Sequence, residues 1–317
     1  MFGNALGWAI SAVIVGATIW FLTILGAQGD ISPPGPVGEN AANWTVRLPV
    51  EPGGLAPFMV EPTEPGPLYK EAIALYEADE YELKRSQPKS TQSVGAQRWG
   101  KIMELALKAG KSSRPVVFAG NPGDVINYDP DRPKLEALRA VGKMTVHIGL
   151  LHGGEGNKDQ KRQYMEAAFA LGARLYNERL TFGEYMVATE LLGDAGQELA
   201  NLAMESGQAG RAGALRDFDL KRQESYRKQI RPVQEAVMVV EPNPGDIFAL
   251  ADKAPEPMWR VEAVLALGRL RYSAERFADK QGATQVIAIL CTAGDPRIRT
   301  AAIAARDLTV EQFRKLR

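Results

Sequence analysis

The feature that most constrains this chain is its beginning. From Ala5 to Ala27 no residue is charged, and the run carries Trp8, Ile10, Val13, Ile14, Val15, Ile19, Trp20, Phe21, Leu22 and Ile24. A helix rises about 1.5 Å per residue, so such a run is long enough to cross a hydrocarbon core of roughly 30 Å. It offers no polar face to water, which argues against a buried core helix. It also lacks the basic n-region and small-x-small site of a cleaved signal: Met1 to Asn4 hold no Lys or Arg, and Leu25-Gly26-Ala27 is a poor cleavage match. Residues 1–27 are therefore expected to be an uncleaved, single-pass transmembrane anchor, with Trp8, Ile14, Ile19, Trp20, Phe21 and Leu22 in the bilayer. The first basic residue after it is Arg47, and the free amino terminus favours an inside start, so the bulk of the chain is expected on the extracytoplasmic (periplasmic) side. Gly3, Gly7 and Ser11, then Ala12 and Gly16, repeat small residues at a spacing of four, which suits self-association of the helix.

Residues 28–67 hold nine of the 20 prolines, among them Pro33, Pro34, Pro36, Pro62, Pro65 and Pro67. Proline removes a backbone donor and fixes φ, so this segment is expected to be an extended linker. The remaining chain, from residue 68 on, is long enough for one large domain or two modest ones. Charge over the whole sequence is balanced, 38 basic against 38 acidic residues, so no global field points to nucleic acid. The single cysteine, Cys291, excludes an intramolecular disulfide and a CxxC site, and no cofactor pattern occurs.

From Leu68 onward the pattern is helical. Residues 68–155 read as helices around Leu68–Arg85, Val94–Ala109 and Asp131–Leu151, with a break near Pro88 and an irregular insert at 112–133. Pro115 to Ala119 is the one candidate strand. Residues 156–240 contain the clearest pair. Tyr164, Ala168, Leu171 and Leu175 form one stripe, and Tyr185, Ala188, Leu192, Ala195, Leu199 and Leu202 alternate at three and four. The short join at Thr181 to Gly183 predicts an antiparallel hairpin. A charged helix comes next, Arg211 to Arg231. Its acids interleave with its bases, which favours a solvated face over a nucleic-acid surface.

Residues 241–317 contain an echo. Pro257 and the helix it opens align with Pro296 at an offset of 39 residues, matching Trp259 with Ile298, Arg260 with Arg299, Ala263 with Ala302 and Val264 with Ile303. Proline suits a helix start, Asp295 is a good N-cap, and Thr309 with Gln312 has a capping-box pattern. Arg260-Val-Glu-Ala-Val-Leu-Ala-Leu-Gly268 resembles the helix of a HEAT-type repeat, and Leu171-Gly172 to Tyr176 is similar to the first helix of a tetratricopeptide repeat. The resemblance implies an α-solenoid-like stack of helix pairs, a fold that usually binds proteins or peptides.

Catalytic motifs are near misses. Gly110-Lys111-Ser112 lacks the earlier glycine of a phosphate-binding loop, since position 105 is Leu, and reads as a helix end. Asn127, Asp129 and Asp131 start like a calcium loop, but Arg132 and Leu138 stand where glycine and an acid are required. His147 and His152 are the only histidines, and their spacing does not place both on one helix face. The leading expectation is an all-α, non-enzymatic scaffold or adaptor of a cell-envelope complex. Its partner would sit in a groove lined by Tyr164, Tyr176, Tyr185, Trp259, Arg260 and Tyr272. One alternative is an envelope hydrolase or lyase using His147, His152 and acids such as Asp124. Another is a structural subunit that oligomerises through its membrane helix.

Overall fold

A computed structural model describes residues 61–96, 99–114, 117–118, 122–128, 133–239, 243–254 and 256–316. The expected anchor at 1–27 and the linker up to residue 60 lie outside the described residues. Among the described residues no helix is long and apolar enough to cross a membrane.

Helix is the only regular element among the described residues, beside one isolated bridge between Glu61 and Ser112. In chain order the helices are α1 (Pro65–Arg85), α2 (Thr91–Ala96), α3 (Trp99–Gly110), α4 (Pro133–Gly154), α5 (Lys158–Glu178), α6 (Phe182–Glu205), α7 (Ala209–Ser225), α8 (Arg231–Val237), α9 (Pro244–Lys253), α10 (Pro257–Ser273), α11 (Phe277–Leu290), α12 (Pro296–Asp307) and α13 (Val310–Lys315). A short 3-10 turn, Pro122–Asp124, precedes α4, and a π turn, Tyr226–Ile230, joins α7 to α8. The all-α expectation holds. Two boundaries move. The first helix starts at Pro65 rather than after Pro67, because prolines in a first turn need no N–H partner. Of the candidate strand at 115–119 only Val117 and Phe118 are described; they form a bend, and the Glu178 carboxylate accepts both their N–H groups.

The helices stack in pairs around two centres. The first is the α5–α6 hairpin. Asn157 caps α5, and Thr181 caps α6 by accepting from the Glu184 N–H. Arg179 turns the chain between them in a left-handed conformation, φ 42°. Lys158 at the start of α5 pairs with Glu205 at the end of α6, and Lys161 pairs with Glu198, so the two run antiparallel as expected. α4 packs on α5, α7 on α6, and α1 and α3 on the far side. Gly110, the last residue of α3, lies so close to α5 that an added Cβ would stand 2.6 Å from the Ala167 Cβ.

The second centre is α10, flanked by α9, α11 and α12. The 39-residue echo is a structural one here. α10 and α12 both start on proline and lie side by side, with Trp259, Ile298, Ala263 and Ala302 all buried. The matched arginines do the same work. The Arg260 Nε donates to the Ala251 carbonyl in the last turn of α9, and the Arg299 Nη1 to the Ala293 carbonyl in the turn after α11. The last match fails: Val264 is buried, whereas Ile303 is 39% exposed because no further helix pair covers it among the described residues.

Several contacts among the described residues join the two centres, including an ion pair of Arg179 with Glu256, 3.6 Å. The Glu262 carboxylate of α10 accepts from the Phe182 N–H at the start of α6, 2.9 Å. Tyr128, in the segment before α4, crosses to the second centre and donates its hydroxyl to the Leu265 carbonyl. Gly268 makes room for that ring: a Cβ there would come within 1.9 Å of the Tyr128 oxygen. The described residues of 68–155 therefore share one packed core with α10 and α12.

Candidate functional site

The junction of the two centres is not filled. A cleft of about 810 Å³ opens there, between the N-terminal half of α4, one face of α6, Arg222 of α7, Met238 after α8, and Leu265 and Arg269 of α10. Tyr128 and Leu316 close one end, and a smaller hollow of about 440 Å³ continues beyond them along α12 and α13. Clefts of this size suit a ligand or a short peptide segment.

The α6 wall is a consequence of helix geometry. Met186, Glu190 and Asp194 recur every four residues, so they form one row along the cleft. The opposite stripe of α6 (Tyr185, Ala188, Leu192, Ala195) is wholly buried, so the helix is apolar where it meets its neighbours and mixed where it faces the cleft. The exposed apolar surface comes from two methionines, Met186 at 40% and Met238 at 49% exposure. Their thioethers are soft and adaptable, a common property of peptide-receiving surfaces.

Most cleft charges are held. The Glu190 carboxylate accepts from the Arg139 Nε, 2.7 Å, and also pairs with Lys143. Its partial burial pushes its pKa up, but the bonds from Arg139 and Lys143 outweigh that and hold it below the ordinary range. Arg139 also reaches Glu136, 3.4 Å. The Arg222 Nη2 bonds Asp219, 2.5 Å, and Arg269 donates to the Val237 carbonyl. Gly193 leaves the Arg222 guanidinium space beside α6, where a Cβ would stand 3.4 Å from it. Asp194 differs. Its side chain is exposed and makes no hydrogen bond or ion pair with any described residue. Its pKa is raised, first by desolvation and then by the Glu190 charge, against opposing contributions from Lys143 and Arg222.

The aromatic residues expected to line a groove are elsewhere. Tyr176, Tyr185 and Trp259 are fully buried, and Tyr164 is 8% exposed and stacked on His152 with ring centres 5.3 Å apart. Tyr176 and Tyr185 pack on each other at 5.7 Å inside the hairpin. The Tyr272 hydroxyl donates to the Leu308 carbonyl, 2.6 Å, and its ring stacks on Phe313. Arg260 closes the end of α9. In this conformation these six hold the stack together. Large rings are most valuable where they exclude the most water, and here that is the helix seams. Helices α6, α7 and α10 line the cleft through Met186, Glu190, Asp194, Arg222, Leu265 and Arg269. The signal for them was the mixed stripe on α6 opposite its seam.

The residues of the enzyme alternative are not gathered. Asp124 pairs with Lys134 near the start of α4, 2.5 Å. His147 lies thirteen residues further along the same helix, roughly 20 Å away, with its Nε2 against the Pro88 carbonyl. His152 sits in the last turn, where burial lowers its pKa despite the nearby Glu155. No group of three or more His, Cys, Asp or Glu among the described residues is placed to hold a metal ion. Gly110 ends its helix as expected, and Ser112 beyond it donates to the Thr63 carbonyl.

No family model, no curated protein and no solved structure matches this chain.

Proposed function

We propose that this chain is a membrane-tethered, non-enzymatic scaffold or adaptor that holds a segment of a partner protein in the cleft between its two helical centres. The observation that carries this reading is the cleft itself: about 810 Å³, open, and faced by two exposed methionines within a frame of satisfied charges. Such a surface supplies adaptable apolar contact and a polar rim. The proline-rich stretch and the uncharged run at 5–27 support a tether to the membrane, with the domain on the extracytoplasmic side of a cell envelope. The relation of α10 to α12 supports a HEAT-like reading of the C-terminal stack.

The test uses the full chain, solubilised in detergent and immobilised, against an envelope extract of its source cell. Met186→Asp with Met238→Asp places two charges in the cleft without touching the core. A partner retained by the native chain and by Leu220→Asp, an exposed change on α7, should be lost from the cleft variant. Equal capture by all three chains would refute the cleft as the binding surface. For the tether, alkaline carbonate washing should leave the full chain in the membrane pellet and release a chain lacking residues 1–27.

A further inference from the structure

Helix α11 breaks the charge pattern of this surface. From Gln281 to Gly294 the sequence holds no charged residue, in a chain 24% of whose residues are charged. Every residue that α11 exposes is neutral: Phe277 and Ala278 in its first turn, then Gln281, Thr284, Gln285, Ala288 and Ile289. Its two charged residues, Asp279 and Lys280, are half-buried. Helix α7, by contrast, exposes Arg216, Asp217, Lys221 and Glu224. The inward face of α11 is ordinary. Ala283 and Ile287 are buried, Val286 and Leu290 pack on the core, and the helix lies against α10 and α12. Outward, Gln281, Gln285 and Ala288 follow one another at four and three residues and so form one stripe. Phe277 near its start is 78% exposed, and Ile303 of neighbouring α12 is exposed as well.

We propose that this face docks a second copy of the chain, α11 against α11 about a two-fold axis. In such a contact each patch meets itself. A charge near the axis would meet its own sign, and a neutral face avoids that repulsion. Glutamine amides and threonine hydroxyls both donate and accept, so they can pair with their own kind. Other occupants fit this chemistry less well. A helix that lies on a membrane surface carries Lys or Arg on its polar side, and α11 exposes neither. A charged protein partner finds nothing here to complement. One helix face is smaller than the roughly 800 Å² that each partner buries in a standard interface, so the association is weak and shows at high concentration.

The test uses the concentrated full chain in detergent micelles, with Cys291→Ser as background and one new cysteine at a time: Gln281→Cys, Gln285→Cys or Ala288→Cys on α11, and Leu220→Cys on α7 as control. A disulfide forms between copies only where two Cα atoms come within about 7 Å. Under a mild oxidant at least one α11 cysteine should give covalent dimer well ahead of Leu220→Cys. Adding Gln285→Lys or Gln285→Glu to Ala288→Cys should slow its crosslinking about fivefold, the upper range for one exposed charge pair. An equal mixture of the Lys and Glu chains should restore the rate, which also shows that both are folded. No dimer at any α11 cysteine would overturn the proposal. Equal rates on α11 and α7 would do so too, by placing the contact elsewhere, as in pairing through residues 1–27. So would a mixture that stays slow while both variants melt as the parent does. In native membranes, a benzophenone attached at Ala288→Cys should give a product of twice the chain's mass. A product of another mass, or an adduct with lipid alone, would assign the face to a different occupant and overturn the idea. The comparison of cysteine positions needs no charge variant, so a misfolded Gln285→Lys would not rescue it.

Discussion

The two centres of this molecule differ in what holds their helices together. The α5–α6 hairpin is built on large side chains and a buried polar network. Phe169, Tyr176, Tyr185 and Leu191 fill it, and Arg174 is only 2% exposed. The α10–α12 pair is close at small residues, with Gly268 against the Ala305 backbone and Ala301 and Ala302 buried beside it, while α10 also buries Trp259, Met258 and Leu267. Large residues tolerate irregular neighbours, which is why the hairpin can receive α1, α3, α4 and α7 at once. At Gly268 the missing side chain admits one foreign ring, Tyr128. The cleft lies where these two packings meet and neither fills the space.

The contrast between the centres is greatest at Arg174. Its guanidinium donates to the Tyr69 hydroxyl and to the carbonyls of Gly110, Ser112 and Arg114, and so pins the segment after α3 onto α5. The same segment receives Glu61, whose N–H and carbonyl bond Lys111 and Ser113, so it is where the first described residues meet the helices. Arg174→Met keeps the volume and orphans these acceptors. It should destabilise the chain by on the order of 3–5 kcal/mol and lower Tm by roughly 10 °C. Amide exchange should speed up first at Ser112, Ser113, Val117 and Phe118. Arg174→Lys should rescue little, because a single ammonium cannot reach acceptors spread across the fork. A thermal melt within a few degrees of the native chain would show that α5 needs no such network.

At the other centre the matching weak point is Gly268. Gly268→Ala drives a methyl group into the Tyr128 hydroxyl and against the Ala305 backbone, so overpacking should cost about 1–3 kcal/mol. Tyr128→Phe alone forfeits one hydrogen bond to Leu265, about 0.5–1.5 kcal/mol. Combined, the two changes should cost less than their sum, because the phenyl ring gives back part of the space the methyl needs. Strict additivity in urea unfolding would mean that Tyr128 is not the plug joining the two centres.

These two sites also mark what the sequence could and could not reveal. The helices, the antiparallel hairpin, the caps at Asp295 and Thr309, and the echo at Pro257 and Pro296 were legible, because each depends on residues within a few turns of one another. The capping box at Thr309 and Gln312 forms in full. Tyr128 against Gly268, Glu178 against the Val117 and Phe118 amides, and Arg174 against Tyr69 join residues far apart in the chain. No periodicity announces them. The aromatic residues misled for the same reason. A stripe from Tyr164 to Leu175 states that one face is apolar, not whether another helix or a partner covers it. The cleft was half legible: Met186, Glu190 and Asp194 share a face by spacing alone, but the opposing wall from α4 and α10 comes from tertiary packing.

The smallest effect separates the two repeat starts. The Asp295 carboxylate caps α12 by accepting from the Arg297 N–H, 2.9 Å, and also binds the Arg297 side chain. Glu256 stands at the same place before α10 and makes no such cap. Asp295→Ala should therefore cost about 1 kcal/mol at neutral pH. The bonds from the Arg297 side chain and backbone outweigh partial desolvation and hold the Asp295 pKa below its ordinary value. The folded state thus binds this proton less readily than the unfolded chain. The stabilisation is complete above the ordinary aspartate pKa of about 3.9 and disappears as pH falls through the lower folded value. Asn at 295 keeps a cap acceptor and cannot titrate. The stability gap between the native chain and Asp295→Asn, read from urea unfolding, should be constant from pH 7 to about 5 and then close as the native carboxylate is protonated. A gap that widens on acidification would mean that Asp295 is better bound as the acid, and that the second repeat starts as the first does, without a charged cap.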